Sequence, residues 1–107
     1  MTFPENEFIV KYGEVADEMY FVIDGICQVE TQDGSTVMVL KQGQNFGELV
    51  LLNPDIPFRK ASVRSLTTVS LAVLTRKKFN EIVLFYPQFR ENLDQLVRKR
   101  QKTQMKA

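Results

Sequence analysis

Short apolar or β-branched runs alternate with turn residues over the first two thirds of this 107-residue chain. They are Phe8 to Val10, Met19 to Ile23, Ile26 to Thr31, Thr36 to Leu40, Ala61 to Leu66 and Thr68 to Leu74. Bounded runs of this length and residue type predict strands. Between them stand Tyr12-Gly13, Asp24-Gly25, Asp33-Gly34 and Gln42-Gly43. Asp-Gly favours a tight connection because both residues tolerate positive φ, so the strands are expected to be antiparallel. Val69, Leu71 and Val73 alternate with Thr68, Ser70 and Ala72, the pattern of a strand with one face on a core.

After Thr75, which can cap a helix, the spacing changes. Phe79, Ile82 and Val83 recur with helical period through about Leu84. Pro87 suits the first turn of another helix, where its missing N–H would have no partner, and Phe89, Leu93, Leu96 and Val97 then form one stripe running past Arg100. The polar residues after Gln101 are expected to fray. The expectation is a mainly β fold with two C-terminal helices, without internal repeats.

Composition narrows the function. A 12.4 kDa chain has room for one core, so residues 1–107 are read as a single domain. The longest unbroken apolar stretches, such as Met19 to Ile23, are about five residues, against roughly 20 for a membrane span, and no export signal is seen at the amino end. Cys27 is the only cysteine, which excludes an internal disulfide and a cysteine-rich zinc site, and it reads as an inert strand residue. Histidine is absent, which removes imidazole metal ligands, nucleophile–histidine pairs and the commonest general base. Neither an enzyme nor a metal site is expected, and a metal-dependent enzyme on a β-roll is the remotest alternative.

The net charge of +1 is too balanced to suggest a nucleic-acid partner. From Arg90 onward six basic residues face two acidic ones, giving +4; the remainder, eight basic against eleven acidic, carries −3. The run Arg98-Lys99-Arg100 reads as a solvated helix end that complements the helix dipole.

The candidate chemistry lies mid-chain. Gln42-Gly43-Gln44-Asn45-Phe46-Gly47-Glu48-Leu49-Val50-Leu51-Leu52 reads as a turn entering one helical turn at Glu48 to Leu52. Free N–H groups at such a start favour an anion, and Gly47 permits close approach to the backbone. Twelve residues beyond Gly47, Arg59 enters a strand beside the small Ala61 and Ser62. One arginine matches the single charge of a phosphodiester, and Glu48 is suited to accept hydrogen bonds from sugar hydroxyls. The phosphate loop that a nucleoside triphosphate would call for is absent. As alternatives, Arg59 and Glu48 form a surface ion pair, Met38 and Leu40 are plain core, and Leu93, Leu96 and Val97 only pack a helix onto the body.

Phe46-Gly47-Glu48-Leu49 followed by Arg59-Lys60-Ala61-Ser62 resembles the phosphate-binding cassette of cyclic nucleotide-binding domains. Gly13-Glu14-Val15-Ala16-Asp17-Glu18-Met19-Tyr20-Phe21-Val22-Ile23-Asp24-Gly25 looks like their early strand motif. The likeness runs from about Phe3 to Arg100. Phe79-Asn80-Glu81 with Tyr86-Pro87 further resembles the helical region of cyclic nucleotide-regulated cation channels. The resemblance implies an eight-stranded β-roll of jelly-roll type over residues 1–75, with a cassette at 46–62, and two helices over 76–104, the last closing on the ligand. It implies that the helical segment preceding the roll is missing and that the chain is a fragment.

By the same resemblance Glu48 accepts the ribose 2′-hydroxyl and Arg59 meets the cyclic phosphate. Gly47, Leu49, Ala61 and Ser62 offer backbone contacts, Met38 and Leu40 pack on the base, and Leu93, Leu96 and Val97 form the lid. Lys60, counted with the ligand-binding residues, departs from the family, which usually has a small residue or a cGMP-favouring threonine there; its charge either aids the phosphate or faces solvent. The implied function is non-catalytic and regulatory: cAMP or cGMP as ligand, no cofactor, and a larger partner, either a cation channel or the regulatory subunit of a cyclic nucleotide-dependent kinase. A third possibility is an interaction module that has lost the nucleotide, motivated by Lys60 and the Asn53 to Phe58 insert. The expected location is cytoplasmic, on the inner side of a membrane if the parent is a channel, with no direct membrane insertion.

Overall fold

A computed structural model describes residues 1–53, 55 and 57–106, with side chains through Lys99. In chain order the elements are β1 (Thr2–Phe3), β2 (Phe8–Val10), β3 (Glu18–Asp24), β4 (Cys27–Glu30), β5 (Thr36–Leu40), β6 (Asn45–Phe46), α1 (Leu49–Leu52), β7 (Ser62–Ser65), β8 (Val69–Thr75), α2 (Arg76–Phe85) and α3 (Gln88–Lys106). The strands form two four-stranded antiparallel sheets, ordered β1-β8-β3-β6 and β2-β7-β4-β5. This is a β-roll carrying two C-terminal helices.

The longest ladder joins β3 to β8, from Glu18 opposite Thr75 to Asp24 opposite Ser70, with a register shift between Val22 and Asp24. Side chains alternate across a strand, so this ladder serves two cores. Tyr20, Val22, Val69 and Leu71 join Val10, Cys27, Leu40, Phe46 and Val63 between the sheets. Met19 and Leu74, with Phe21 partly buried, face the opposite way and pack with Val50, Leu51, Phe79 and Leu93. Val73 is therefore not the third core residue its alternation predicts: it is 36% exposed, and burial passes instead to Leu74 on the other face, where the helices cover the strand.

The helices begin as their local chemistry dictates. Thr75 has extended dihedrals and its Oγ1 accepts the Lys78 N–H at 3.2 Å, capping α2. Pro87 sits just before α3, and the N–H of Phe89 donates to the Tyr86 carbonyl at 3.0 Å. Phe79 and Phe89 meet with ring centroids 5.9 Å apart, which joins the two helices at their base. The backbone of α3 is helical through Lys106, in keeping with the helix propensity of lysine, glutamine and methionine. Of the Asn53 to Phe58 insert, Pro54 and Ile56 lie outside the described residues, as do the side chain of Arg100 and Ala107.

Candidate anion-binding site

The chain leaves β6 at Phe46 and enters α1 at Leu49, so the reversal falls on Gly47 and Glu48. Gly47 has φ +81°, which a side chain disfavours, and a Cβ there would stand 2.6 Å from Arg59 Nη1 and 3.4 Å from the Glu18 carbonyl oxygen. The glycine is needed for its conformation and for the space that Arg59 occupies. Glu48 takes the N-cap position of α1 with φ −69°, and its backbone carbonyl accepts from the N–H groups of Leu51 and Leu52 at 3.0 and 3.1 Å. The helix thus begins one residue later than the sequence suggests.

Arg59 is 6% exposed, an unusual environment for a cation. Its Nη2 donates to the Glu18 carbonyl at 2.8 Å and its Nη1 to the Gly47 carbonyl at 3.3 Å. The guanidinium carbon lies 5.6 Å from the Tyr20 ring centroid. That ring stacks on Phe46 at 5.0 Å, and the Tyr20 hydroxyl donates to the Glu18 carboxylate at 2.5 Å. Burial lowers the Arg59 pKa, opposed by Tyr20, Glu18 and Glu14; the group remains a cation at neutral pH. Tyr20 is pushed up to about 12, first by burial and then by its bond to Glu18.

Ion pairs among the described residues join Arg64 to Glu30, Lys78 to Glu81 and Arg98 to Asp94, and none involves Arg59. A buried guanidinium held by two carbonyls, with no ion pair among the described residues, retains N–H groups beyond those two bonds. The remaining donors are suited to an anion.

Arg59 lines a cavity of about 160 Å³ between the sheets and the helices. Of the residues the sequence singles out, Met38, Leu40, Gly47, Glu48, Leu49, Arg59, Lys60, Ala61 and Val97 line it together. Glu48 is 4% exposed. Three others are placed elsewhere. The Ser62 hydroxyl points to the amino-terminal segment and accepts the Tyr12 N–H at 2.9 Å. Leu93 packs into the helix-side core with Phe79. Leu96, at the edge of the α3 stripe, is 54% exposed. The lining also includes Val10, Val29, Val63 and Phe58, which sequence reasoning missed. Val29 pairs with Met38 on one side and Val63 on the other, so the inner face of that sheet carries the missing signal.

Two further arginines hold α1 from the opposite end. Arg76 Nη2 donates to the Val50 carbonyl, and Arg90 Nη2 donates to the Leu52 carbonyl at 2.8 Å. The last carbonyls of a helix lack internal partners, and cations there also complement its dipole. Each of the two C-terminal helices is thereby tied to the segment that lines the cavity.

A roll whose cavity is lined by a buried cation beside a glycine-broken helix start has the arrangement expected of an anionic-ligand binding domain. The model of the cyclic nucleotide-binding domain family matches residues 1–84, and the chain belongs to that family. It is 41% identical over 80 residues to a cAMP-dependent protein kinase regulatory subunit of Debaryomyces hansenii, covering 74% of this chain and 17% of that protein. It is 36% identical over 88 residues to the potassium/sodium hyperpolarization-activated cyclic nucleotide-gated channel 2 of Mus musculus, covering 82% of this chain and 10% of the channel. Among solved structures, the Thermus thermophilus catabolite activator protein superposes with a TM-score of 0.85 at 26% identity, covering 96% of this chain and 49% of that one. The chain spans under a fifth of the length of the two relatives.

Proposed function

We infer that this chain senses cAMP or cGMP for a larger protein, with Arg59 receiving the cyclic phosphate and Glu48 the ribose 2′-hydroxyl. Buried Arg59, held by the Glu18 and Gly47 carbonyls without an ion-pair partner among the described residues, is the observation that carries the reading. Gly47, Leu49 and Ala61 line the phosphate side, Met38 and Leu40 the base side, and Val97 brings the last helix to the same cavity. Binding is non-catalytic, and the ligand acts by favouring the position of α3 in which Val97 closes the cavity. Micromolar affinity, about −8 kcal/mol, is within reach of a few charge-assisted bonds and base burial.

The test is isothermal titration of the purified chain with each cyclic nucleotide. Arg59→Lys, which keeps the charge but loses the fork, should weaken binding by at least about tenfold, since one charge-assisted bond is worth about 1.5–3 kcal/mol. No heat and no thermal stabilisation at about millimolar ligand would leave the reading without support and favour a roll that acts only as an interaction module.

For the parent protein the reading is a cyclic nucleotide-regulated cation channel, which places this domain on the cytoplasmic side of a membrane. Tyr86-Pro87 and Phe79-Asn80-Glu81 support it, as does the channel relative. The kinase relative supports the alternative, a regulatory subunit. Sequence upstream of residue 1 separates them: membrane segments mean a channel, and a kinase-inhibitor segment or a second roll means a regulatory subunit. Among the described residues no helix is long and apolar enough to cross a membrane.

A further inference from the structure

Lys60 follows Arg59 and lines the same cavity on different terms. Arg59 is buried and fixed by two carbonyls, whereas the Lys60 side chain is exposed and makes no ion pair among the described residues. Phe58, 52% exposed, lines the cavity on the other side of Arg59 in sequence. The cavity lining therefore includes, on either side of Arg59 in sequence, one exposed aromatic residue and one exposed lysine.

The charged residues lining the cavity are Glu48, Arg59 and Lys60. Their formal charges sum to +1, with Arg59 as the cation fixed by two carbonyls and Lys60 as the cation on an exposed side chain. A cyclic phosphodiester carries one negative charge, but a phosphate monoester carries about −1.5 to −2 near pH 7. The pinned Arg59 has no freedom to follow a second anionic oxygen, and a lysine ammonium on a flexible four-carbon stem does.

We propose that Lys60 is a second phosphate-binding cation that extends the ligand class of this site from cyclic phosphodiesters to nucleoside 5′-monophosphates. The proposal rests on the reading that Arg59 receives a phosphate. A linear nucleotide loses the rigidity of the closed ring and is bound at greater entropic cost, which a second charge-assisted contact offsets.

The experiment is calorimetric titration of the parent chain, Lys60→Met and Lys60→Arg with cAMP and with 5′-AMP. It is run at about pH 7.5 and about pH 5.5, on either side of the monoester second pKa near 6. In the parent at the higher pH, 5′-AMP is expected to bind within about tenfold of cAMP, a gap of about 1.4 kcal/mol. Lys60→Met should weaken 5′-AMP by at least about tenfold and cAMP by no more than about threefold, and Lys60→Arg should keep both. Lowering the pH should weaken 5′-AMP alone. Binding of cAMP without 5′-AMP, or equal loss of both in Lys60→Met, overturns the proposal and leaves the cyclic nucleotide reading standing. Binding of 5′-AMP without cAMP, or binding of neither, overturns both.

Discussion

Gly47 and Gly43 offer a matched pair for measuring what the Arg59 position is worth. Both have left-handed backbones, φ +81° and +87°, and they lie four residues apart on the same approach to α1. A Cβ at Gly43 would meet nothing within 4 Å, whereas one at Gly47 would stand 2.6 Å from Arg59 Nη1. Gly43→Ala therefore carries backbone strain alone, about 1–2 kcal/mol, partly offset by the smaller entropy of the unfolded chain. Gly47→Ala carries that strain and also displaces the guanidinium from its bonds of 3.3 Å to the Gly47 carbonyl and 2.8 Å to the Glu18 carbonyl. Loss of one such charged bond costs about 1.5–3 kcal/mol, so the total should reach about 3–5 kcal/mol. At about 4–8 °C per kcal/mol for a chain of this size, Gly43→Ala should lower Tm by about 5 °C and Gly47→Ala by about 12 °C or more. Thermal melts followed by circular dichroism give the first comparison, and calorimetric titration with cAMP gives the second. Only Gly47→Ala should weaken the nucleotide, by about tenfold or more, one charge-assisted bond being worth at least that factor. Equal Tm losses with unchanged affinity in both variants would refute the claim that the glycine exists to seat Arg59.

Other outcomes follow from the same structure. Phe79 is 1% exposed at the centre of the helix-side core, so Phe79→Ala should cost about 3–5 kcal/mol in urea unfolding, and a loss below about 1 kcal/mol would contradict its placement. Val97→Ala should weaken cyclic nucleotide binding while Leu96→Ala leaves it unchanged, because only Val97 reaches the cavity; the reverse order by titration would displace the lid assignment. Burial pushes Cys27 up to about 11, and Tyr20 up to about 12 with help from Glu18. The folded chain then holds these protons when the unfolded chain has released them, so stability is intact below about pH 9 and falls as pH rises through about 12, by up to about 1.4 kcal/mol per pH unit for each group. Urea midpoints that do not decline across this window, or a Tyr20→Phe variant with the same slope, would show that these groups do not control the alkaline limb.

The strands were legible wherever the chain had length enough to show a period. Phe8 to Val10 and Thr36 to Leu40 match β2 and β5, and the other four expected runs overlap observed strands. The two-residue strands β1 and β6 were not legible, because Thr2–Phe3 and Asn45–Phe46 are too short for alternation and exist through their ladders to β8 and β3. Val73 was misread because alternation specifies a face but not which face a distant helix will cover. In the candidate site, Gly47 and Arg59 stood out through the cassette they share, Phe46 to Leu49 followed by Arg59 to Ser62, and not as single residues. Phe58, Val10 and Val63 did not, since an apolar residue facing a cavity and one facing a core look the same in sequence. Leu96 shows the opposite limit: a motif places a residue near the site, while its turn of helix decides what it touches.

The β3–β8 ladder is a party wall, with Tyr20 and Val22 on one side and Met19 and Phe21 on the other. A slip of a single residue would exchange these sets, unseating both rooms at once and carrying Tyr20 away from Arg59. Misregistered chains are thus penalised twice, so correct alignment of this one ladder also secures the placement of the helices.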